Sequence, residues 1–141
     1  MIFGTSLSSL DAAELKAIRK SQAVISFKPD GTIIIANDNF LDAMGYTLEE
    51  IRGQHHSLFV EPDYKDSLEY QNFWNKLRQG EFQAAQFKRF AKRGREVWIE
   101  ASYNPILDKK GKVVRVVKYA TDITAQKLQS ANHEGQINAI N

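Results

Sequence analysis

Three short polar segments govern what this chain can fold into: Lys28-Pro29-Asp30-Gly31, Lys92-Arg93-Gly94-Arg95 and Asp108-Lys109-Lys110-Gly111. The first separates β-rich runs at 23–27 and 32–36, and the second separates runs at 82–91 and 96–103. The third follows Ile106 and leads into a run at 113–120. A proline fixes one turn dihedral and a glycine accepts positive φ, so segments of this kind reverse the chain tightly. Five strands joined by short turns predict an antiparallel sheet with one long interruption, between the second strand and the third.

The interruption has a helical period. Asn37-Asp38-Asn39 offers caps for a short helix through Phe40, Leu41 and Met44 that stops at Gly45. Thr47-Leu48-Glu49-Glu50 is a capping box, and Gly53 ends the turn it opens. Tyr70, Phe73, Trp74 and Leu77 recur at helical spacing before Gly80, which predicts an amphipathic helix. Two strands, a helical insert and three strands make an α+β plan with the helices packed across one face of the sheet. Ahead of it, Asp11 and Glu14 suggest a capped helix with a narrow apolar stripe at Leu15 and Ile18. Beyond Thr124 a polar helix is expected, and Ile137-Asn138-Ala139-Ile140-Asn141 echoes Leu15-Lys16-Ala17-Ile18-Arg19. Such an echo fits the start of a second copy of the domain. The expected division is a flanking helix over 1–21, a domain over 22–124 and a connector helix over 125–141.

Composition removes several classes of function. The 141 residues contain no cysteine, which excludes disulfides, cysteine-ligated metals, thiol catalysis and cysteinyl–flavin photochemistry. Net charge is +2, so composition gives no argument for nucleic acid. No apolar run approaches the roughly 20 residues that span a bilayer, and Met1-Ile2-Phe3-Gly4 is too brief for a signal-peptide core. The cytoplasm is the expected compartment, without membrane insertion. There is no Gly-rich phosphate loop, nucleophile elbow or His-Glu-x-x-His helix, so no enzymatic activity is expected. Lys88, Arg89, Lys92, Arg93 and Arg95 cluster at the second hairpin, where strand alternation is expected to turn them outward as a solvated edge.

Four stretches, in this order and spacing, resemble a PAS domain over about residues 12–125: Asp30-Gly31-Thr32-Ile33, Ala36-Asn37-Asp38-Asn39-Phe40, Met44-Gly45-Tyr46-Thr47-Leu48-Glu49-Glu50-Ile51-Arg52-Gly53 and Asp122-Ile123-Thr124. Gly53-Gln54-His55-His56, Phe73-Trp74, Trp98-Ile99-Glu100-Ala101, Tyr103-Asn104-Pro105-Ile106 and Val117-Lys118-Tyr119-Ala120-Thr121-Asp122 are similar to PAS domains of bacterial chemoreceptors and their relatives in aerotaxis and biofilm dispersal. The resemblance implies a sensory PAS domain of a cytoplasmic chemoreceptor-like protein, responding to a small ligand, a gas or a redox state. It implies a homodimer through the flanking helices, and a second PAS domain or a methyl-accepting signalling domain downstream. The alternative is a cofactor-free PAS module serving dimerisation or relay.

The resemblance also nominates site residues. His56, and next to it His55, stands where some relatives place a haem ligand, so haem b through His56 is the leading cofactor expectation. A polar or helix-capping role is the other reading of the pair. Adjacent helical residues point about 100° apart, so only one of the two is expected to enter the interior. FAD is the competing cofactor: Trp74 matches the aerotaxis pattern, but Val60-Glu61 stands where that pattern is basic. Phe27, Phe40, Tyr46, Phe73, Trp74 and Trp98 form either a planar ligand's pocket or plain core, and Asn39 and Asn104 offer amide hydrogen bonds. Asp122 and Thr124 are expected to form a hydrogen-bonded corner through which a signal leaves, with the pocket reaching Trp98, Tyr103 or Val117.

Overall fold

The structure is a computed structural model that describes residues 9–131. Its sheet contains β1 (Ala23–Phe27), β2 (Ile33–Ala36), β3 (Gln83–Phe90), β4 (Glu96–Leu107) and β5 (Val113–Asp122). The order across it is β2-β1-β5-β4-β3 and every pairing is antiparallel. The last strand therefore lies at the centre, hydrogen-bonded to the first on one side and to β4 on the other. Each expected turn closes a hairpin or loop of this sheet. In the second, Arg93 at φ 68 precedes Gly94 at φ 79, a left-handed pair that matches the twist of the strands it joins.

The β4 strand is longer than the sequence suggests and runs through Pro105 instead of ending at Tyr103. The last β3 partner of β4 is Tyr103, opposite Gln83. Pro105 thus lies beyond the ladder on that edge, where a missing N–H costs no sheet bond.

One face of the sheet is covered by α2 (Asp38–Met44), α3 (Leu48–Ile51), a 3-10 turn (His56–Phe59), α4 (Pro62–Lys65) and α5 (Leu68–Arg78). Local chemistry sets their starts. Asn37 caps α2 by accepting from the Phe40 N–H, Thr47 and Glu50 form the complete capping box of α3, and Ser67 caps α5. The four periodic positions of α5, Tyr70, Phe73, Trp74 and Leu77, are all buried. They pack onto inward residues of the sheet such as Phe27, Val97, Tyr103 and Val116.

The flanks differ in detail from expectation. The first helix, α1 (Ser9–Ser21), begins ahead of Asp11, which sits in its first turn instead of capping it. No α1 residue is buried, and Ile18 is 38% exposed. Residues 124–131 are helical. The echo at 137–141 lies outside the described residues. Among those described, no helix is long and apolar enough to cross a membrane.

Two expectations of orientation fail, one outward and one inward. Arg89 is only 3% exposed and points into the core. It pairs with Val97 across β3 and β4, and so shares the inward phase of that strand. Trp98 lies between inward Val97 and Ile99, so alternation places it on the opposite face of the sheet.

Candidate functional site

The interior between helices and sheet is organised around His56. The 3-10 turn that carries it is pinned to the first hairpin, because His56 N–H donates to Gly31 O at 2.9 Å and Thr32 bridges to His55. His55 stays outside and serves as the cap: its Nδ1 accepts from Ser57 N–H at 3.0 Å, and its Nε2 lies 2.9 Å from Asp30 O. Nδ1 accepts and the carbonyl can only accept, so Nε2 carries the proton. His56, one residue on, is fully buried.

Both ring nitrogens of His56 are used. Nδ1 lies 2.7 Å from the Tyr70 hydroxyl and Nε2 2.9 Å from the Tyr103 hydroxyl. Burial, reinforced by the positive charges of Arg89 and Lys118, holds the imidazole well below its ordinary pKa and therefore neutral. A neutral ring donates from one nitrogen and accepts at the other, so one tyrosine donates to it and the other accepts. Tyr103 also accepts from Arg89 Nη2 at 3.2 Å, which joins α5, the 3-10 turn, β4 and β3 in one network.

These residues do not fit haem. An axial histidine needs a free nitrogen on the iron side, and His56 has none without surrendering a tyrosine. Phe27, Phe73, Trp74 and Tyr103 stand with their rings 5.3 to 6.2 Å from the imidazole, most of them edge-on, and fill the space around it. Among the described residues no group of three or more His, Asp or Glu side chains is placed to hold a metal ion.

The interior also holds two basic side chains, Lys118 and Arg89. Lys118 projects from central β5 at 1% exposure, with its ammonium 4.9 Å from the Tyr103 ring centroid and 5.7 Å from that of Phe40. Burial pushes its pKa well down, and the Arg89 charge adds to that. The signal for both residues was present in the sequence. Lys118 falls in phase with inward Val116 and Ala120, and Arg89 in phase with Phe87. A long basic side chain on a strand is nonetheless expected at the surface.

The nominated residues divide into three groups, with two amides belonging to none of them. His56 and Trp74 line the interior with Phe27, Phe40 and Phe73, and Tyr46 is partly buried against Phe59. His55 lines an outer cleft of about 700 Å³ with Asp30, Tyr70, Trp74 and Arg78. The amides belong to neither place. Asn39 is exposed and clips α2 to the end of α1, donating to Lys20 O at 2.9 Å. Asn104 reaches Ser102 Oγ at 3.0 Å and Val117 O at 3.2 Å, away from inward Tyr103. Neither amide serves an interior ligand in this arrangement.

The third group is the exit corner. Asp122 Oδ1 accepts from Thr124 N–H at 2.9 Å, which caps the outgoing helix. Thr124 Oγ1 accepts from Trp98 N–H at 3.0 Å, and Ile123 N–H donates to Trp98 O at 2.8 Å. Lys127 Nζ then lies 4.9 Å from the Trp98 ring centroid, with the indole N–H donating to Glu96 at 2.9 Å. Trp98 is thus part of the corner and lies off the His56 interior, at the rim of a cleft beside β3.

Comparison with known proteins agrees with this architecture. The biofilm dispersion protein BdlA of Pseudomonas aeruginosa is 44% identical over 112 residues, which cover 79% of this chain and 27% of the relative. The aerotaxis receptor of Escherichia coli is 30% identical over 93 residues, covering 66% of this chain and 18% of the receptor. The chain therefore spans less than a third of the length of either. Among solved structures, the PAS domain of a Colwellia psychrerythraea protein superposes with a TM-score of 0.70 at 22% identity, over 83% of this chain and 99% of that one. A light-oxygen-voltage domain studied with a flavin analogue gives 0.68 at 21% identity, over 92% and 99%. The family described as PAS fold matches residues 33–120, and with the sheet order and helical cover above, the chain belongs to the PAS family.

Proposed function

We propose that this chain is the sensory module of a chemoreceptor-type signalling protein, in which a small molecule held between helices and sheet biases the hand-over from β5 to the helix that follows. The observation that carries this reading is the span of β5. It presents Lys118 to the interior and, four residues later, Asp122 to the exit corner. A ligand that binds one arrangement of the strand more tightly shifts the population of helix orientations, and only that differential affinity does so. The similarity to BdlA and to the aerotaxis receptor supports a role in a chemotaxis-type pathway.

In this reading the module works in the cytoplasm, pairs with a second copy through α1, and passes its state to a methyl-accepting signalling domain or a second PAS domain. Leu15 and Ile18 supply the apolar contact of the pair. Asp122→Ala in a full-length receptor carrying this module tests the relay: a receptor that folds and binds its ligand but no longer switches supports the corner. Normal switching removes it from the mechanism. Leu15→Glu with Ile18→Glu should lower self-association in analytical ultracentrifugation, and a monomeric wild type at high concentration removes the dimer.

FAD is the second reading, favoured by the indole N–H of Trp74, which is buried without an acceptor and would suit a flavin ring carbonyl. Flavin absorbance in the purified protein would support it. Reconstitution with hemin should give no Soret band that depends on His56.

A further inference from the structure

Among the described residues, the buried side-chain groups without a hydrogen-bond partner are all of one kind. Arg89 Nε–H and Trp74 Nε1–H are buried without a hydrogen-bond partner. The Lys118 ammonium faces aromatic rings. The ion pairs among the described residues, Lys88–Glu61 and Lys92–Glu50, include neither Lys118 nor Arg89. His56 lies between them at ring distance from both Trp74 and Tyr103, so these groups share one neighbourhood. Both unmet groups are donors, and Arg89 carries a fixed positive charge, with the Lys118 amine nearby on the Tyr103 ring. Buried charge without a counterion is strongly unfavourable unless something else supplies the negative partner.

A route to this neighbourhood exists beside β3. A cleft of about 490 Å³ runs between the α4–α5 segment and β3, lined by Tyr64, Phe87 and Arg89. Its size is within the range of small-molecule sites. Two acids, Glu61 and Glu69, also line it; Glu61 is held 2.6 Å from Lys88, and Glu69 lies in the exposed first turn of α5. The buried end of the cleft is therefore cationic and aromatic: the Arg89 guanidinium sits 4.7 Å from the Phe87 ring centroid and 6.0 Å from that of Tyr103.

We propose that the ligand of this module is a small organic carboxylate with an apolar body, its body lying in the cleft beside β3 against Tyr64 and Phe87 and its carboxylate meeting Arg89, with Lys118 beyond on the Tyr103 ring. Arg89 offers the planar fork that suits a carboxylate, with Nε already free of other partners. Lys118 supplies a second donor from the strand that leads to Asp122, which connects binding to the exit corner. The inference rests on the sensory reading and names its ligand class.

The test is the thermal midpoint of the whole chain at constant ionic strength with benzoate, phenylacetate or hexanoate, each against its uncharged amide. At least one carboxylate should raise the midpoint saturably, by about 5 °C at high occupancy, while its amide leaves it unchanged. Arg89→Gln and Lys118→Met should each weaken that carboxylate at least about tenfold, whereas Lys112→Met at the third turn should not. Circular dichroism of each variant separates lost binding from lost fold. The proposal is overturned if no carboxylate acts saturably, if amides or chloride act equally, or if folded Lys118→Met responds like wild type. Such a failure, with the Asp122→Ala receptor still uncoupled, would discard the carboxylate and keep the sensory reading.

Discussion

His56 Nε2 and the Tyr103 hydroxyl lie 2.9 Å apart with both side chains fully buried, and this contact ties the 3-10 turn to β4 of the sheet. It also puts a neutral imidazole within a network that ends on a guanidinium. Removing either partner leaves the other as an unmet buried polar group, which costs more than an exposed hydrogen bond.

Tyr103→Phe should therefore destabilise the protein by about 1–3 kcal/mol, because His56 and Arg89 lose a partner together. His56→Ala should cost about 3 kcal/mol or more, since it adds a cavity among Phe27, Phe73 and Trp74. Urea unfolding measures both. A change below about 0.5 kcal/mol for Tyr103→Phe would show that the network adds nothing to stability.

Gly31 should not tolerate a side chain. It has a φ of 92°, and a Cβ there would collide with the His55 ring at Nε2. Gly31→Ala should cost about 2 kcal/mol or more, part backbone strain and part collision. Adding His55→Ala removes the collision and leaves the strain, so the double variant should be more stable than the sum predicts by about 1 kcal/mol. Simple additivity would place the whole cost in the backbone.

Stability should rise with pH over the range in which folded Lys118 has released its proton and the unfolded chain has not. Burial lowers the folded pKa of Lys118 well below 10.5, so between that lowered value and 10.5 the unfolded chain binds the extra proton. His56 acts in the same direction below its unfolded value of 6.5. Above about pH 10 the sign reverses, because burial keeps Tyr70 and Tyr103 protonated when the unfolded chain has lost those protons. In ligand-free protein, urea midpoints should therefore climb with pH between the lowered folded value of Lys118 and 10.5, at no more than about 1.4 kcal/mol per pH unit for one proton. Lys118→Met should flatten that climb and leave the loss below pH 6.5 in place. An unchanged slope in the variant would assign it elsewhere.

Asp122→Ala should loosen the exit corner alone. It removes the acceptor for Thr124 N–H at the start of the outgoing helix, worth about 1 kcal/mol of capping. Hydrogen exchange should quicken over residues 124–131 while the amides of β1, β4 and β5 keep their protection. Equal protection at 124–131 in both proteins would leave Trp98 and Thr124 as sufficient to hold the helix.

The sequence by itself determined the local structure. Turn glycines set the reversals, Asn37, Thr47 and Ser67 set the helix starts, and the spacing of Tyr70, Phe73, Trp74 and Leu77 set the buried face of α5. These are effects of neighbouring residues, acting through backbone conformation and periodicity, so they are written along the chain. It also indicated that only one of two adjacent histidines would turn inward. What surrounds that histidine was decided by tertiary structure. The Tyr70 and Tyr103 hydroxyls that use both its nitrogens come from 14 and 47 residues away, and they remove the free nitrogen a haem would need. Trp98, Asn39 and Asn104 lie off the interior because strand phase and the end of α1 claimed them. Arg89 and Lys118 are inside because inward strand positions place them there, against the usual preference of basic side chains for water.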